Sequence, residues 1–256
     1  MSEKKPLVSI ITATTANPLL KDCLESVNKQ TYPNIQHLIF IDGPKHIKKY
    51  TDLVKNVDDK KIRNEVFLPY PTGIDRWNGH RMYAAGTYLS EGEYLMFLDD
   101  DNYLEPSHVE DCVNTMEDQD WVFSFRNIVD KDRKFICKDD CESLGLWPSV
   151  LNEQDYFVDV NCFFWSRQTA LLVSPIWYRK FREPGVVEID RALMQGLRQA
   201  APRYKATKKY TVNYTVGNTD LSVKGDFFIQ GNKKMLERYN GMLPWKEPDN
   251  IITINI

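Results

Sequence analysis

Two apolar segments separated by a helix-like segment constrain the fold of this chain more than any other feature. Residues 7–13 and residues 36–41 are short, mainly apolar runs, and each predicts a buried strand. Between them, at residues 19–30, apolar side chains recur at helical spacing. A strand–helix–strand unit implies parallel strands joined by a right-handed crossover, so we expect an α/β fold.

The rest of the pattern extends this arrangement along the chain. Further strands are predicted at residues 62–68, 94–98, 121–125, 158–165 and 204–216, and further helices at residues 47–57, 81–90, 106–117, 166–173 and 188–199. We find no internal repeat and no low-complexity linker in the 256 residues. The chain is therefore predicted to form a single domain over residues 1–256.

Polar residues stand at the carboxyl ends of the first two predicted strands. Thr12 and Thr14 close the first strand, and Asp42 follows the second. Open α/β sheets bind their ligands beyond the carboxyl ends of the strands. These three residues are therefore expected at the ligand-binding edge.

Three consecutive aspartates, Asp99, Asp100 and Asp101, follow the apolar strand predicted at residues 94–98. Adjacent carboxylates repel one another unless something neutralises them. Because residues i and i+2 of a strand point the same way, Asp99 and Asp101 could converge on one cation, leaving Asp100 another role. Mg²⁺ or Mn²⁺ suits a few carboxylates with substrate phosphates, and could neutralise a diphosphate leaving group. The alternative is a solvated acidic turn or a helix cap.

Composition argues against several classes of protein. A net charge of -3 disfavours nucleic acid or an anionic membrane as the main partner. No stretch approaches the roughly 20 apolar residues of a membrane span, and the N-terminus does not read as a signal peptide. The five cysteines are scattered and odd in number, which favours reduced thiols. We expect no nucleic-acid partner, no transmembrane segment, and a cytoplasmic or at most membrane-peripheral location.

Four segments resemble family 2 glycosyltransferases with the GT-A fold. They are residues 7–12 (LVSIIT), 24–34 (LESVNKQTYPN), 38–43 (LIFIDG) and 92–101 (GEYLMFLDDD). The last is similar to the Asp-x-Asp motif of that family, and the resemblance covers roughly residues 6–116. It implies a GT-A type α/β fold, a single Rossmann-like mixed sheet flanked by helices. It also implies a nucleotide-sugar-binding half over residues 1–116 and an acceptor-binding half with a C-terminal tail over residues 117–256.

The resemblance implies a metal-dependent enzyme of the hexosyltransferase type, acting in polysaccharide or glycan biosynthesis. It would move a sugar from a nucleotide-diphosphate donor, with a UDP-sugar favoured, to a hydroxyl of a glycan or other acceptor. Thr12 and Thr14 would border the nucleoside, and Asp42 would hydrogen-bond the base. Asp99 would approach the ribose or the metal, Mn²⁺ or Mg²⁺, and Asp101 would bind the metal beside the diphosphate. Asp100 would support the donor site.

The resemblance also implies an inverting reaction with a carboxylate general base at the start of a later helix. Residues 187–193 (VEIDRAL) are similar to the Glu-Asp pair of the family, but here Ile189 separates Glu188 from Asp190. Asp190 is the first candidate for the base and Glu188 the second. Both lie near a predicted helix N-terminus, so a helix-capping acid is the alternative.

The helix before the aspartates departs from the family pattern. Residues 83–85 (YAA) stand where the family often has an Ala-Arg-Asn-like stretch. The cation beside the phosphates is therefore expected from His80 or Arg81, at the start of the predicted helix, or from Arg76. A capping or packing role for His80 is the alternative.

Other candidates and other classes of protein remain open from the sequence. Asp159 and Asn161 could touch the sugar, Trp165 and Trp177 could stack on sugar faces or lie in the core, and Asp220 and Lys224 could fold back over the diphosphate. A sugar nucleotidyltransferase would carry a glycine-rich phosphate loop after the first strand, and residues 12–17 (TATTAN) contain no glycine. A catalytically inactive nucleotide-sugar-binding module is disfavoured by the intact carboxylates.

Overall fold

The computed structural model describes residues 5–57, 61–219 and 222–247. Within them, the strands are β1 (Val8–Thr14), β2 (Ile35–Ile41), β3 (Ile62–Phe67), β4 (Tyr94–Phe97), β5 (Tyr103–Leu104), β6 (Trp121–Val129), β7 (Phe135–Lys138), β8 (Phe163–Ser166) and β9 (Tyr204–Thr215). The helices are α1 (Leu20–Asn28), α2 (Ile47–Val54), α3 (His80–Leu89), α4 (His108–Met116), α5 (Arg167–Val173), α6 (Ile189–Ala200) and α7 (Gly225–Arg238). None of the helices in these ranges combines the length and apolar character that a membrane span requires.

The described strands form one mixed sheet flanked by helices, as predicted. Its order is β3-β2-β1-β4-β8-β6-β9-β5, and β7 pairs with β6. The pairs β2/β3, β1/β2 and β1/β4 are parallel, whereas β8 runs antiparallel to both β4 and β6. The parallel half therefore brings the carboxyl ends of β1, β2 and β4 to one edge of the sheet.

The strands β1 and β2 are buried on both faces, which explains their continuous apolar runs. Every residue of β2 is buried, and β1 is buried except at Ala13. On one face α3 crosses close to β1, because a Cβ at Gly86 would lie only 2.6 Å from Cγ2 of Ile11. A glycine at this point of the helix permits the close approach.

An aromatic core lies beneath the carboxyl edge of the parallel strands. Trp165 and Trp177 are 0% and 1% exposed, and both pack against Phe97. Tyr83 of α3 contacts the Trp177 ring at 5.2 Å between centroids. The two tryptophans are therefore core residues and not sugar-stacking surfaces, which settles the alternative left open by the sequence.

The structure corrects several element boundaries. The strand predicted at residues 158–165 is only Phe163–Ser166, because the Asp159 side chain accepts the Asn161 N–H and caps a 3-10 turn at Val160–Cys162. The helix predicted from residue 106 begins at His108. The sequence reading missed β5, β7 and α7. The first two are too short for a clear alternating pattern.

Candidate functional site

A cavity of about 450 Å³ opens at the carboxyl edge of β1, β2 and β4. Its walls bring together Thr14, Asp42 and all three consecutive aspartates. The predicted ligand edge is therefore where these polar side chains meet. The cavity is also lined by residues that the sequence reading did not single out: Lys45, His46, Pro71, Gly73, Asn78 and Tyr83.

Asp42 shapes one wall of this cavity through the loop after β3. Its Oδ1 accepts hydrogen bonds from the N–H of Thr72 at 2.6 Å and from the Thr72 hydroxyl at 3.1 Å. Its Oδ2 accepts the N–H of Gly73 at 2.9 Å. A Cβ at Gly73 would lie 2.8 Å from this oxygen, so only glycine fits there. Asp42 stands at the predicted place, with both oxygens already holding the loop.

The two threonines of β1 have different environments. Thr14 lines the cavity, and its hydroxyl donates to Oδ2 of Asp100 at 2.5 Å. Thr12 is 0% exposed and lies 2.9 Å from Nε2 of His37, a residue of β2. Thr12 lies inside the strand, two residues before its end, and is covered there, and that it borders the nucleoside stays a prediction.

The three aspartates occupy a turn and not the end of a strand. β4 ends at Phe97, and the N–H of Asn102 donates to the carbonyl of Asp99 at 3.2 Å. Strand alternation therefore does not set their directions, and the expectation that Asp99 and Asp101 converge for that reason is corrected. We call residues 99–101 the aspartate turn.

Each carboxylate of the aspartate turn has its own partner. Oδ1 of Asp99 accepts the Tyr83 hydroxyl. Asn218 donates to Oδ2 of Asp101 at 2.5 Å. Asp100 is bonded to Thr14, as described above. The three side chains reach the same cavity while being held by different parts of the fold.

The second half of the chain holds the backbone of the aspartate turn. Arg133, in the turn between β6 and β7, donates to the carbonyl of Asp101 at 2.9 Å and to the Thr215 hydroxyl at 2.8 Å. Thr215 also donates to the Asp101 carbonyl, at 2.5 Å. The position of the turn therefore depends on residues far away in sequence.

Burial raises the pKa of each carboxyl in the turn, and repulsion from neighbouring aspartates in the turn raises it further at Asp100 and Asp101. Burial, followed by the charges of Asp99 and Asp100, raises the pKa of Asp101 to about 7. Burial, with Asp99 next among the factors that raise it, brings the pKa of Asp100 to about 6. Burial likewise raises the pKa of Asp99. A positive charge in the cavity would favour the ionised forms.

The chemistry of these side chains fits a divalent cation with few protein ligands. In the described ranges, no group of three or more His, Cys, Asp or Glu side chains converges as a metal cage. Mg²⁺ and Mn²⁺ do not need such a cage, because they take one or two carboxylates with phosphate and water oxygens. Both oxygens of Asp99 already accept protein hydrogen bonds. Asp101 therefore suits a cation better than Asp99 does.

The three side chains predicted to lie beside the phosphates, His80, Arg81 and Arg76, contact other groups of the protein. His80 is 6% exposed, and its Nδ1 lies 2.5 Å from the carbonyl of Arg179, so it is a packing residue. Arg81 stacks on the Trp77 ring at 3.7 Å and lines a separate cavity of about 250 Å³. Arg76 donates to the carbonyl of Arg182 at 3.2 Å. Within the described residues, the lining of the main cavity includes none of these three side chains, and that one of them supplies the cation beside the phosphates stays a prediction.

The basic side chains that line the main cavity are Lys45 and His46. They follow directly after the end of β2 and the segment Asp42-Gly43-Pro44, so their position next to Asp42 was readable in the sequence. Burial, with Lys45 next, lowers the pKa of His46. Lys45 is therefore the cavity's main candidate for contact with an anion.

Asp190 and Glu188 open α6, as predicted. Glu188 precedes the helix without a side-chain capping bond, and Asp190 lies in the first turn. Burial raises the pKa of Asp190 well above its usual range, and the charges of Asp159 and Asp99 raise it further. Asp190 is therefore within electrostatic reach of the aspartate turn, and its carboxyl is suited to hold a proton.

A buried ion cluster that the sequence reading missed lies behind the aspartate turn. Arg126 of β6 is 1% exposed and pairs with Asp139 at 2.8 Å, with Glu142 at 2.7 Å, and with Asp159. Asp159 and Asn161 are 4% and 0% exposed. The expectation that these two residues touch the sugar is corrected, because they are covered and bonded inside the fold.

Asp220 and Lys224 were predicted to fold back over the diphosphate, and of the two only Lys224 lies within the described residues. Asp220 lies outside the described residues. Lys224 is exposed, immediately precedes α7 and donates to the carbonyl of Thr219 at 3.4 Å. Within the described ranges, the lining of the main cavity does not include it.

Comparison with solved structures agrees with this fold. S. aureus TarS (residues 1–349), in complex with UDP-GlcNAc, aligns with a TM-score of 0.62 at 14% identity, over 90% of this chain and 66% of TarS. The same protein with UDP aligns with a TM-score of 0.58 at 16% identity, over 92% of this chain and 72% of TarS. These similarities show the GT-A fold.

Sequence relatives are also glycosyltransferases. An uncharacterised glycosyltransferase of Methanocaldococcus jannaschii is 30% identical over 133 residues, or 50% of this chain and 44% of the relative. An uncharacterised glycosyltransferase of Haemophilus influenzae is 24% identical over 166 residues, or 60% of this chain and 47% of the relative. The chain spans less than half the length of these two relatives. Residues 9–161 match the family described as Glycosyl transferase family 2, and the chain belongs to that family.

Proposed function

We propose that this protein transfers a sugar from a nucleotide-diphosphate donor to a hydroxyl of a glycan or other acceptor. The observation that carries the proposal is the single cavity that joins Asp42, Thr14 and the aspartate turn at the carboxyl edge of the parallel strands. This edge is where α/β sheets bind nucleotides. A UDP-sugar is the favoured donor, and the fold similarity to TarS bound to UDP-GlcNAc supports that choice.

The charges around the cavity support dependence on a divalent metal. Asp42 and the aspartate turn bring four carboxyls to the cavity, whereas Lys45 and His46 are its basic side chains. A diphosphate would meet net repulsion in this setting unless a cation joined it. Asp101, with support from Asp99, would hold Mn²⁺ or Mg²⁺. The cation would supply neutralising charge for the departing nucleoside diphosphate.

Asp190 is our candidate for the general base, and Glu188 is the second. As the acceptor oxygen forms its bond to the anomeric carbon, the bond from that carbon to the donor phosphate breaks, and the nucleoside diphosphate leaves with the electron pair. The acceptor proton passes to the Asp190 carboxylate. A single displacement of this kind inverts the anomeric configuration. The raised pKa of Asp190 supports this role, because it makes the carboxylate a stronger proton acceptor than an exposed aspartate.

A thermal-shift screen of nucleotide-diphosphate sugars, with and without Mn²⁺, tests the proposal. Ligand at 100 times its dissociation constant stabilises the folded state by about 2.7 kcal/mol, which corresponds to roughly 5–10 °C for a domain of this size. We expect a UDP-sugar with Mn²⁺ to give the largest shift. No shift with any donor would contradict the proposal.

Release of UDP from the best donor then separates an enzyme from an inactive binding module. We expect UDP release that depends on Mn²⁺ and increases with a hydroxyl acceptor. Binding without UDP release with any acceptor would favour the inactive module.

The five cysteines are all free thiols, which supports a reducing compartment such as the cytoplasm.

A further inference from the structure

The side chain of Asn161 makes a two-point contact with Asp99. Its Oδ1 accepts the backbone N–H of Asp99 at 2.6 Å, and its Nδ2 donates to Oδ2 of Asp99 at 2.8 Å. One planar amide thus forms hydrogen bonds with both the backbone and the carboxylate of Asp99, the first residue of the aspartate turn. Because two bonds in one plane define an orientation, Asn161 sets the direction of the Asp99 carboxylate as well as its position.

Asn161 is itself held by Asp159. Its second Nδ2 proton goes to Oδ1 of Asp159 at 2.8 Å, and its own backbone N–H donates to the same oxygen at 3.0 Å. The amide oxygen and both amide protons of this fully buried side chain are therefore engaged. Asn161 has no freedom to rotate without breaking bonds that water cannot replace.

Arg126 anchors the other end of this chain of bonds. Its Nη1 pairs with Oδ2 of Asp159, so that both Asp159 oxygens are occupied. The guanidinium also packs over the Tyr214 ring, with its central carbon 4.3 Å from the ring centroid. Arg126 lies on β6 and Tyr214 on β9, the two strands that share the longest pairing of the second half. The anchor is therefore the sheet of the second half.

We propose that Asn161 is a positioning residue that fixes the Asp99 carboxylate for the donor site, through Asp159 and Arg126 behind it. The inference rests on the proposed function, because it concerns the geometry of the donor site. Asn161 would act without touching the donor, since it is 0% exposed. Side chains that orient groups around a metal typically change metal affinity or activity by about 10- to 100-fold when they are replaced.

Calorimetric titration of UDP in the presence and absence of Mn²⁺, with the full chain, tests this role. In Asn161→Ala the Asp99 carboxylate loses its orienting donor, so we expect Mn²⁺-dependent UDP affinity to fall by roughly 10- to 100-fold. Asn161→Asp has the same size and keeps the acceptor for the Asp99 N–H, but it places an oxygen opposite two carboxylates. We expect a comparable loss, and this variant decides the matter if Asn161→Ala does not fold.

Asn232→Ala is the matched control. The amide of Asn232 also accepts a backbone N–H, from Asp140 at 2.9 Å, and donates to the carbonyl of Lys138 at 2.8 Å, but it lies on α7. A purely structural role would lower the melting temperature of both alanine variants and leave UDP affinity unchanged in both.

The two proposals fail differently. If the wild-type chain shows no Mn²⁺-dependent UDP binding, the proposed function is wrong. If the wild type binds and the folded Asn161 variants bind within about twofold of it, Asn161 has no positioning role.

Discussion

The Thr14 hydroxyl donates to Oδ2 of Asp100 at 2.5 Å and thereby ties the end of the first strand to the aspartate turn. The Thr14 oxygen also accepts the N–H of Ala16 at 2.8 Å. Asp100 is therefore engaged in the local structure of the cavity wall. The carboxylate of Asp101 instead accepts a hydrogen bond from Asn218, which lies in the second half of the chain. Three identical residues in sequence are thus expected to respond differently to the same substitution.

Replacing Asp101 should affect metal-dependent binding more than replacing Asp100. We expect Asp101→Asn to lower Mn²⁺-dependent UDP affinity by about 100-fold, because a metal ligand must be an ionised carboxylate. Asp100→Asn should cost less than about tenfold, since its carboxyl mainly accepts a hydrogen bond from Thr14. Calorimetric titration at about pH 8 is suitable, because burial and repulsion raise the pKa of Asp101 to about 7. Equal losses in the two variants would contradict these unequal roles.

Asp190→Asn should separate transfer from donor binding. A general base contributes about 10²- to 10⁴-fold, so we expect transfer to fall by that range while Mn²⁺-dependent UDP affinity stays within about twofold. Wild-type rates should rise with pH, since the base acts only when ionised and burial raises the pKa of Asp190. Glu188→Gln tests the second candidate at the same helix start, and a loss of transfer confined to that variant would assign the role of base to Glu188. Unchanged turnover in Asp190→Asn would eliminate it as the base.

The first two strands could be predicted because they are buried on both faces. The predicted strands at residues 7–13 and 36–41 differ by at most one residue at either end from the observed Val8–Thr14 and Ile35–Ile41. Thr14 and Asp42 were predicted at the ligand edge by the rule for parallel strands, which needs only the order of elements. They do line one cavity.

The contacts that hold the site were not readable from the sequence. Arg126 and Asp159 are 33 residues apart, and Asp99 and Asn161 are 62 apart, so no local spacing links them. Arg81 has the right charge and the right distance along the chain, but its direction is set by stacking on Trp77. Periodicity indicates which residues are buried, and it does not indicate which distant side chain each one meets.

Removing the buried cation of the ion cluster should destabilise the fold severely. Arg126→Met would leave Asp139, Glu142 and Asp159 without the cation that they share. Breaking a buried pair by removing one partner costs about 3–5 kcal/mol. Urea unfolding monitored by circular dichroism measures this cost. Arg203→Met is the control, because Arg203 pairs with Asp120 at the surface and should cost less than about 1 kcal/mol. A similar small loss in both variants would show that the cluster contributes little.

His37 should make the stability of the fold fall in mild acid. It is 3% exposed beside Thr12, and burial, with Arg63 next, lowers its pKa to about 3. The unfolded chain binds a proton at this side chain below about pH 6.5, whereas the folded chain does not until about pH 3. Stability is therefore lost as the pH falls through this window, by about 2 kcal/mol between pH 7 and pH 5 for this one residue.

Urea unfolding of the wild type and of His37→Gln at pH 7 and pH 5 checks the contribution of His37. Glutamine does not titrate and can still bond to Thr12, so the loss of stability between the two pH values should shrink by about 2 kcal/mol. The other groups that titrate in this range, among them His108 and Asp101, are common to both chains, so the difference between the variant and the wild type isolates His37. If the variant and the wild type lose the same stability between pH 7 and pH 5, His37 is protonated equally in the folded and unfolded chains.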